Sequence, residues 1–324
     1  MTTLTLDAQA LEMLISAAVA APSVHNTQPW HFRLVPETSS LEVRSVPERS
    51  LPVLDPQGRA LHISVGAAVF NLRTAARRLG RAPEVRLLPD PAEPGLLASV
   101  GLDEPAAVHL NSTDTLYEAI WHRHSIRSPF TGPPVPAAVL AELAEAALTE
   151  DAALYLPDRE ETERLLHLTA EAERRNTTDP GQRQESRSWI QRPGAPYGIP
   201  AAALGPQDAG GHLPMRDFGA LQPERHLVPA AFEAEPRIAV LATRGDRPAD
   251  WLRAGMALQH VLLAATVHQV RASLLHQAME WRNLRWAARD AHHGPGHVQM
   301  LIRLGYGPEG APTPRLRTED VLDR

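Results

Sequence analysis

The chain of 324 residues contains no cysteine. Disulfides, thiolate metal sites and a cysteine nucleophile are therefore excluded. It also contains no lysine, so all 32 cationic side chains are arginines. That removes a P-loop lysine and a Schiff-base lysine. There is no run of about 18 apolar residues, so no membrane span is expected. Neither HExxH nor GxSxG occurs in the sequence. The net charge of −6 gives no basic footprint for nucleic acid. A bound phosphate would have to be held by arginine, hydroxyls or backbone N–H groups. The first residues, Met1 to Asp7, lack the basic region and apolar core of a signal peptide. A cytoplasmic location is the expectation.

Against those absences stands one dense stretch, Ala21-Pro22-Ser23-Val24-His25-Asn26-Thr27-Gln28-Pro29-Trp30-His31-Phe32. Pro22 stops the Ala-rich helical run before it. The residues between Pro22 and Pro29 are mostly short and polar. Asn26 and Gln28 each offer a donor and an acceptor from one planar amide. Such a pair suits the edge of a planar heterocycle with alternating N–H and C=O groups. It equally suits an Asx-rich turn that satisfies only its own backbone.

Taken in order, Leu6 to Ala21 reads as an amphipathic helix. His31 to Pro36 and Leu41 to Val46 read as a hairpin. A helix follows from Ala60 to Leu79, stopped by Gly80. Val85 to Leu88 and Leu96 to Leu102 close a first unit, 1–110. The second unit, 111–324, begins with helices at Leu116 to His124 and Ala137 to Leu148. A short strand at Leu154 to Leu156 and a charged helix at Glu160 to Arg175 come next. From Asn176 to Pro236 the chain is rich in Pro, Gly and Arg. Segments this long without structure are usually lids or disordered. Trp189, Ile190, Tyr197, Ile199 and Met215 are too apolar for a plain linker and suggest a segment folded over something. Beyond it lie a strand at Ile238 to Ala242, a helix at Trp251 to His268 and a strand at Val270 to Leu275. A helix at Met279 to Arg289 and a strand at Val298 to Leu304 complete the unit, before a polar tail. Trp281 and Trp286 are expected to pack. His292, His293 and His297 sit in a turn and lack the fixed geometry a metal site requires.

The chain repeats itself once. Gly66, Ala68, Ala75 and Ala76 recur as Gly255, Ala257, Ala264 and Ala265, at an offset of 189 residues (255 less 66). That offset is far too long for a solenoid unit. It fits one domain duplicated and diverged, or two Ala-rich helices alike by chance.

The Ala21 to Phe32 run resembles the APSxxNxQPWxF signature of the FMN-dependent nitroreductase superfamily. The chain as a whole resembles its Acg-type, double-length members. A second segment, His122-Arg123-His124-Ser125-Ile126-Arg127-Ser128-Pro129-Phe130, resembles the family's RRSxRxF or RHSxRxF phosphate segment. The resemblance implies a tandem-duplicated nitroreductase-like α+β fold. Each lobe would be a sheet flanked by helices, so that one chain mimics the family homodimer and is monomeric. It implies one FMN between the lobes. The ring would lie against Ser23, His25, Asn26 and Gln28. Arg123, His124, Ser125, Arg127 and Arg315 would hold the phosphate. Leu274, Leu275 and His276 would run along the reactive side, with His276-Gln277 departing from the Glu-Gly pair of some relatives. The implied reaction is ping-pong. NAD(P)H would reduce the flavin, and a small-molecule electron acceptor such as a nitroaromatic or quinone would reoxidise it. No catalytic side chain is implied, because the flavin carries the chemistry. If the 176–236 segment covers the flavin, the alternative is a protein that stores, sequesters or senses FMN without turnover.

Overall fold

The computed structural model describes residues 7–103, 105, 111–191, 194–218, 228–289 and 296–323. Helix α1, Ala8–Val19, starts at Asp7, whose carboxylate accepts from the Ala10 N–H at 2.7 Å. It ends just before the Pro22 stop. Strands β1, Trp30–Val35, and β2, Ser40–Ser45, form the expected hairpin, in antiparallel register from Trp30 opposite Ser45 to Val35 opposite Ser40. Their alternation buries Trp30, Phe32, Leu41 and Val43. Helix α2, Arg59–Arg78, packs over them. Strands β3, Glu84–Leu87, and β4, Leu96–Gly101, extend the sheet beyond β2.

Next, α3, Asn111–His122, packs Ala119 and Ile120 into the core of the first sheet, not of the second unit expected to begin at 111, and α4 is Ala137–Leu148. Strand β5, Ala152–Tyr155, leads to α5, Arg159–Thr178, which is capped by Asp158. The 176–236 segment is more structured than its composition suggests. Asp179 caps a further helix, α6, Pro180–Ser188, with Pro180 at its first position, where a missing N–H costs nothing. Four two-residue strands follow: β6, Ile190–Gln191; β7, Ile199–Pro200; β8, Gln207–Asp208; and β9, Pro229–Ala230. Then come β10, Arg237–Thr243, α7, Pro248–Val267, and β11, Arg271–Leu275. The helix expected over Met279 to Arg289 is instead two short ones, α8, Gln277–Glu280, and α9, Arg282–Ala287, broken where Trp281 is extended. Strand β12, His297–Gly305, completes an antiparallel sheet in the order β11-β12-β10-β5.

The tail crosses back. Strand β13, Leu322–Asp323, pairs parallel with β1 and becomes the edge of the first sheet. The end of the tail thus lies with the first sheet, although residues 306–310 still pack against 124–132. Among the described residues no helix is long and apolar enough to cross a membrane.

The repeat helices α2 and α7 form the contact between lobes. A Cβ on Gly66 would run into the carbonyl of Leu252, and one on Gly255 into the carbonyl of Ile63. Leu252 and Ile63 are themselves repeat equivalents. The next turn is reciprocal in the same way. Phe70 stacks on His260 at 4.7 Å, while Asn71 accepts from Gln259 at 2.7 Å. Position i touching j′ while j touches i′ is the signature of an isologous, two-fold contact. Here it occurs within one chain.

Candidate functional site

A cleft lies beside the α2–α7 contact. Its walls are mostly apolar: Ala60, Ile63 and Ala67 from α2, Leu258 from α7, Leu274 and Leu275 from β11, and Met300 from β12. The Pro22 to His25 turn forms one side. A smaller recess continues from it and shares Pro22, Ser23, His25, Ser125 and Arg127. The recess is also lined by Asn26, Arg123, His124 and Arg315. Two distant sequence segments therefore meet in one cavity, as the motif reading expects.

The recess holds three guanidinium groups and no carboxylate among its lining residues. Arg123 is buried, and its Nε has no partner among the described residues. Burial lowers its pKa to about 10. Among the described residues Arg315 donates only to neutral groups: Asn26 Oδ1 at 2.9 Å, Thr313 Oγ1 at 2.6 Å and nearby carbonyls. Burial, then Arg123, lower it to about 9. Arg127 donates to the Ala203 carbonyl at 2.7 Å, and burial with Arg216 lowers it to about 10. Burial first, then Arg123 and Arg315, also lower His124, which keeps its imidazole neutral. Like charges gathered out of water are costly unless an anion joins them.

The amides of the motif do other work than the expected reading of a ring edge. Asn26 donates to the carbonyls of Gly198 at 2.9 Å and Pro314 at 3.0 Å, and accepts from Arg315. Gln28 donates to the Pro196 carbonyl at 2.9 Å and accepts from the Leu316 N–H at 2.9 Å. Gln28 is fully buried and lines neither space. Both amides are spent on clamping the 196–198 segment and the tail to the turn. Three residues of that turn, His25, Asn26 and Gln28, have positive φ of 49°, 54° and 50°, a strained region for non-glycine backbone. The Ser23 hydroxyl accepts from the Gln28 N–H at 3.0 Å and helps hold the turn.

At the other end a buried polar chain closes the cleft. Arg59 donates to His276 Nε2 at 2.6 Å, since a guanidinium has no acceptor. His276 therefore carries its proton on Nδ1 and donates it to Glu280 at 3.1 Å. Glu280 also pairs with Arg216. Burial alone would raise the Glu280 carboxyl, but Arg216 and His276 outweigh it and hold it at about 2. Arg216 reaches His25 Nε2 at 3.5 Å, and burial with Arg216 drives His25 to about 3, so it is neutral at ordinary pH. Phe218 stands edge-on to His25, 5.4 Å between centroids, with Arg127 4.9 Å from its ring centre.

Met215 was flagged only as too apolar for a linker, and Arg216, Phe218, Arg59, Ser64 and Glu280 carried no local signal in the sequence. Arg216 and Glu280 are 64 positions apart, and only the folded chain joins them. Trp286, expected to pack, is 67% exposed with Arg289 over its ring. Its short helix is too small to bury both faces. His292 and His293 lie outside the described residues, and His297 belongs to β12.

Residues 120–306 match the sequence model of the Nitroreductase family. The chain belongs to the nitroreductase family. Two Mycobacterium tuberculosis proteins, each named "Putative NAD(P)H nitroreductase", align along nearly its whole length. One is 33% identical over 98% of this chain and 92% of its own. The other, acg, is 26% identical over 96% and 95%. This nitroreductase is thus of the double-length, Acg-type kind. Among solved structures, a nitroreductase with bound FMN from Desulfitobacterium hafniense is 15% identical, with a TM-score of 0.41 over 65% of this chain and 97% of that one.

Proposed function

We propose that this nitroreductase is an FMN-binding oxidoreductase, taking NAD(P)H as donor and a small-molecule electron acceptor. The observation that carries the reading is the carboxylate-free arginine recess at the end of an apolar cleft. A riboflavin phosphate has the matching shape: a dianionic end, a polyol and a broad flat ring. Arg123, Arg127 and Arg315 would hold the phosphate, with Ser125 and His124 beside them. The unpartnered Nε atoms of Arg123 and Arg315 fit such a ligand, because a buried donor without an acceptor costs about 1–3 kcal/mol. The apolar walls from α2, α7 and β11 would sandwich the ring and exclude water. When bound, FMN supplies hydride acceptance and release. The chain's part is to orient it. The neutral His25 and His276 and the paired Glu280 add no free negative charge at the ring end.

The arrangement also supports one site per chain, the lobes being diverged copies of one unit and the monomer doing the work of a dimer. The recess draws Asn26 and Arg315 from one lobe and Arg123 from the other, so a single chain completes it.

Purified protein should be yellow. Its flavin absorbance should bleach on rapid mixing with NADH or NADPH, as it does with dithionite. Bleaching by dithionite alone would defeat the enzyme reading. A second reading is favoured by Arg216 and Phe218, which reach into the cleft from the segment clamped by Asn26 and Gln28. If that segment stays closed, nicotinamide cannot stack, and the protein sequesters FMN without turnover.

A further inference from the structure

The segment 196–218 closes the cleft and is fastened at two ends. Asn26 and Gln28 hold Gly198 and Pro196. At the far end Arg216 pairs with Glu280, and the Gln277 side chain donates to the Pro214 carbonyl at 2.9 Å. Beneath this second fastening stands Glu173 of α5. Its Oε1 accepts from the Asp217 N–H at 2.9 Å. Its Oε2 reaches no solvent and has no partner among the described residues, although the stem of the side chain is half-exposed. The charged groups facing it are Arg216 and Asp217 on the segment and Glu280 on α8. His25 and His276 approach the same cluster from the motif turn and from the end of β11, both neutral at ordinary pH. On α5 itself Asn176 donates to Glu280 Oε2 at 2.7 Å. Glu173, Glu280 and Asp217 thus gather around Arg216.

We propose that Glu173 is a proton-linked latch: protonated, it lets residues 196–218 close over the cleft, and ionised, it adds a carboxylate that loosens them. The consequence for cofactor access rests on reading the cleft as a flavin site, but the latch itself does not. Burial first, and then Asp217 and Glu280, raise this carboxyl from its ordinary value to about 7, against the pull of Arg216 and the Asp217 N–H. The sign follows from linkage. The closed form binds the proton more tightly than the open form, so closure is favoured below about 4.5 and weakens as pH rises to about 7. Between pH 5.5 and 8.5 the opening constant should grow about thirtyfold.

The test is hydrogen exchange of the peptide covering 196–218 in the full, flavin-free chain, with protection corrected for the intrinsic chemistry at each pH. Wild type should lose about thirtyfold of protection over that range, while peptides of α7 hold theirs. Glu173→Gln should stay protected and nearly flat. A wild-type profile without the loss, or a Glu173→Gln profile that keeps it, overturns the latch. If the variant does not fold, a carbon-13 titration of the Glu173 carboxyl in wild type decides. A midpoint near neutrality supports the proposal, and one in the ordinary carboxylate range overturns it. A separate FMN titration by fluorescence keeps the two readings apart, because failure of FMN to bind would leave this exchange result standing.

Discussion

Replacing Arg123 with methionine should move two quantities in opposite directions. The guanidinium is buried with no anion paired to it among the described residues, and burial alone lowers its pKa to about 10. The group is charged at neutral pH in both folded and unfolded chains. The folded state therefore carries the full penalty of about 2.5 pKa units, or ~3 kcal/mol. It is relieved only as pH rises above about 10, where the folded chain sheds its proton first. Arg123→Met removes the charge and keeps most of the volume, so the flavin-free protein should gain about 1–3 kcal/mol, less what imperfect packing takes back. FMN binding should weaken by about 1.5–3 kcal/mol, the worth of one charge-assisted hydrogen bond, or roughly 10- to 150-fold in Kd. Urea unfolding of the flavin-free form and fluorescence titration with FMN measure the two. A variant that is less stable without ligand, yet binds FMN as wild type does, would refute the view that Arg123 is strained in waiting for a phosphate.

Asn26→Ala cuts three hydrogen bonds, a buried one to Gly198 and part-buried ones to Pro314 and Arg315. It should cost about 2–3 kcal/mol in urea unfolding and weaken FMN binding through the displaced Arg315. An unchanged stability would show that the clamp is idle. Gly66→Ala or Gly255→Ala should each destabilise by at least about 1–3 kcal/mol, since a Cβ would overlap the facing backbone carbonyl. Thermal melts check this, and the double variant should cost less than the sum because both act on one crossing. The Glu280 carboxyl is held at about 2, so its contribution is present above about 4.5 and lost as pH falls through about 2. Glu280→Gln should flatten that acid limb in pH-dependent urea midpoints, and a limb of unchanged slope would mean another carboxylate governs it.

How much of this was legible beforehand divides along physical lines. Helices α4 and α5 and the β1–β2 hairpin were plain because their apolar spacing persists over two turns or several strand pairs. Strand β13 was not, because two residues hold no periodicity and only β1 gives them meaning. Helix α6 was hidden in a Pro/Arg-rich stretch, although Asp179 and Pro180 spell a helix start. The motif disclosed where the cavity would be, yet misled on how its amides act. Asn26 and Gln28 are right for reading a ring edge, and also right for tying down two strands of irregular chain. Which they do depends on Gly198 and Pro314, residues that carry no pattern. The Gly66 and Gly255 match was visible as a repeat, but that the two glycines face one another was not.

Asn26 and Arg315 are joined although 289 positions separate them, and the tail that brings Arg315 also lays β13 beside β1. A ribosome making this protein therefore emits one partner 289 residues before the other. Until Arg315 has emerged, its hydrogen bond to Asn26 cannot form. For the same reason, a fragment cut to the 120–306 family match would keep Arg123 but forfeit both Asn26 and Arg315, and should emerge from purification colourless.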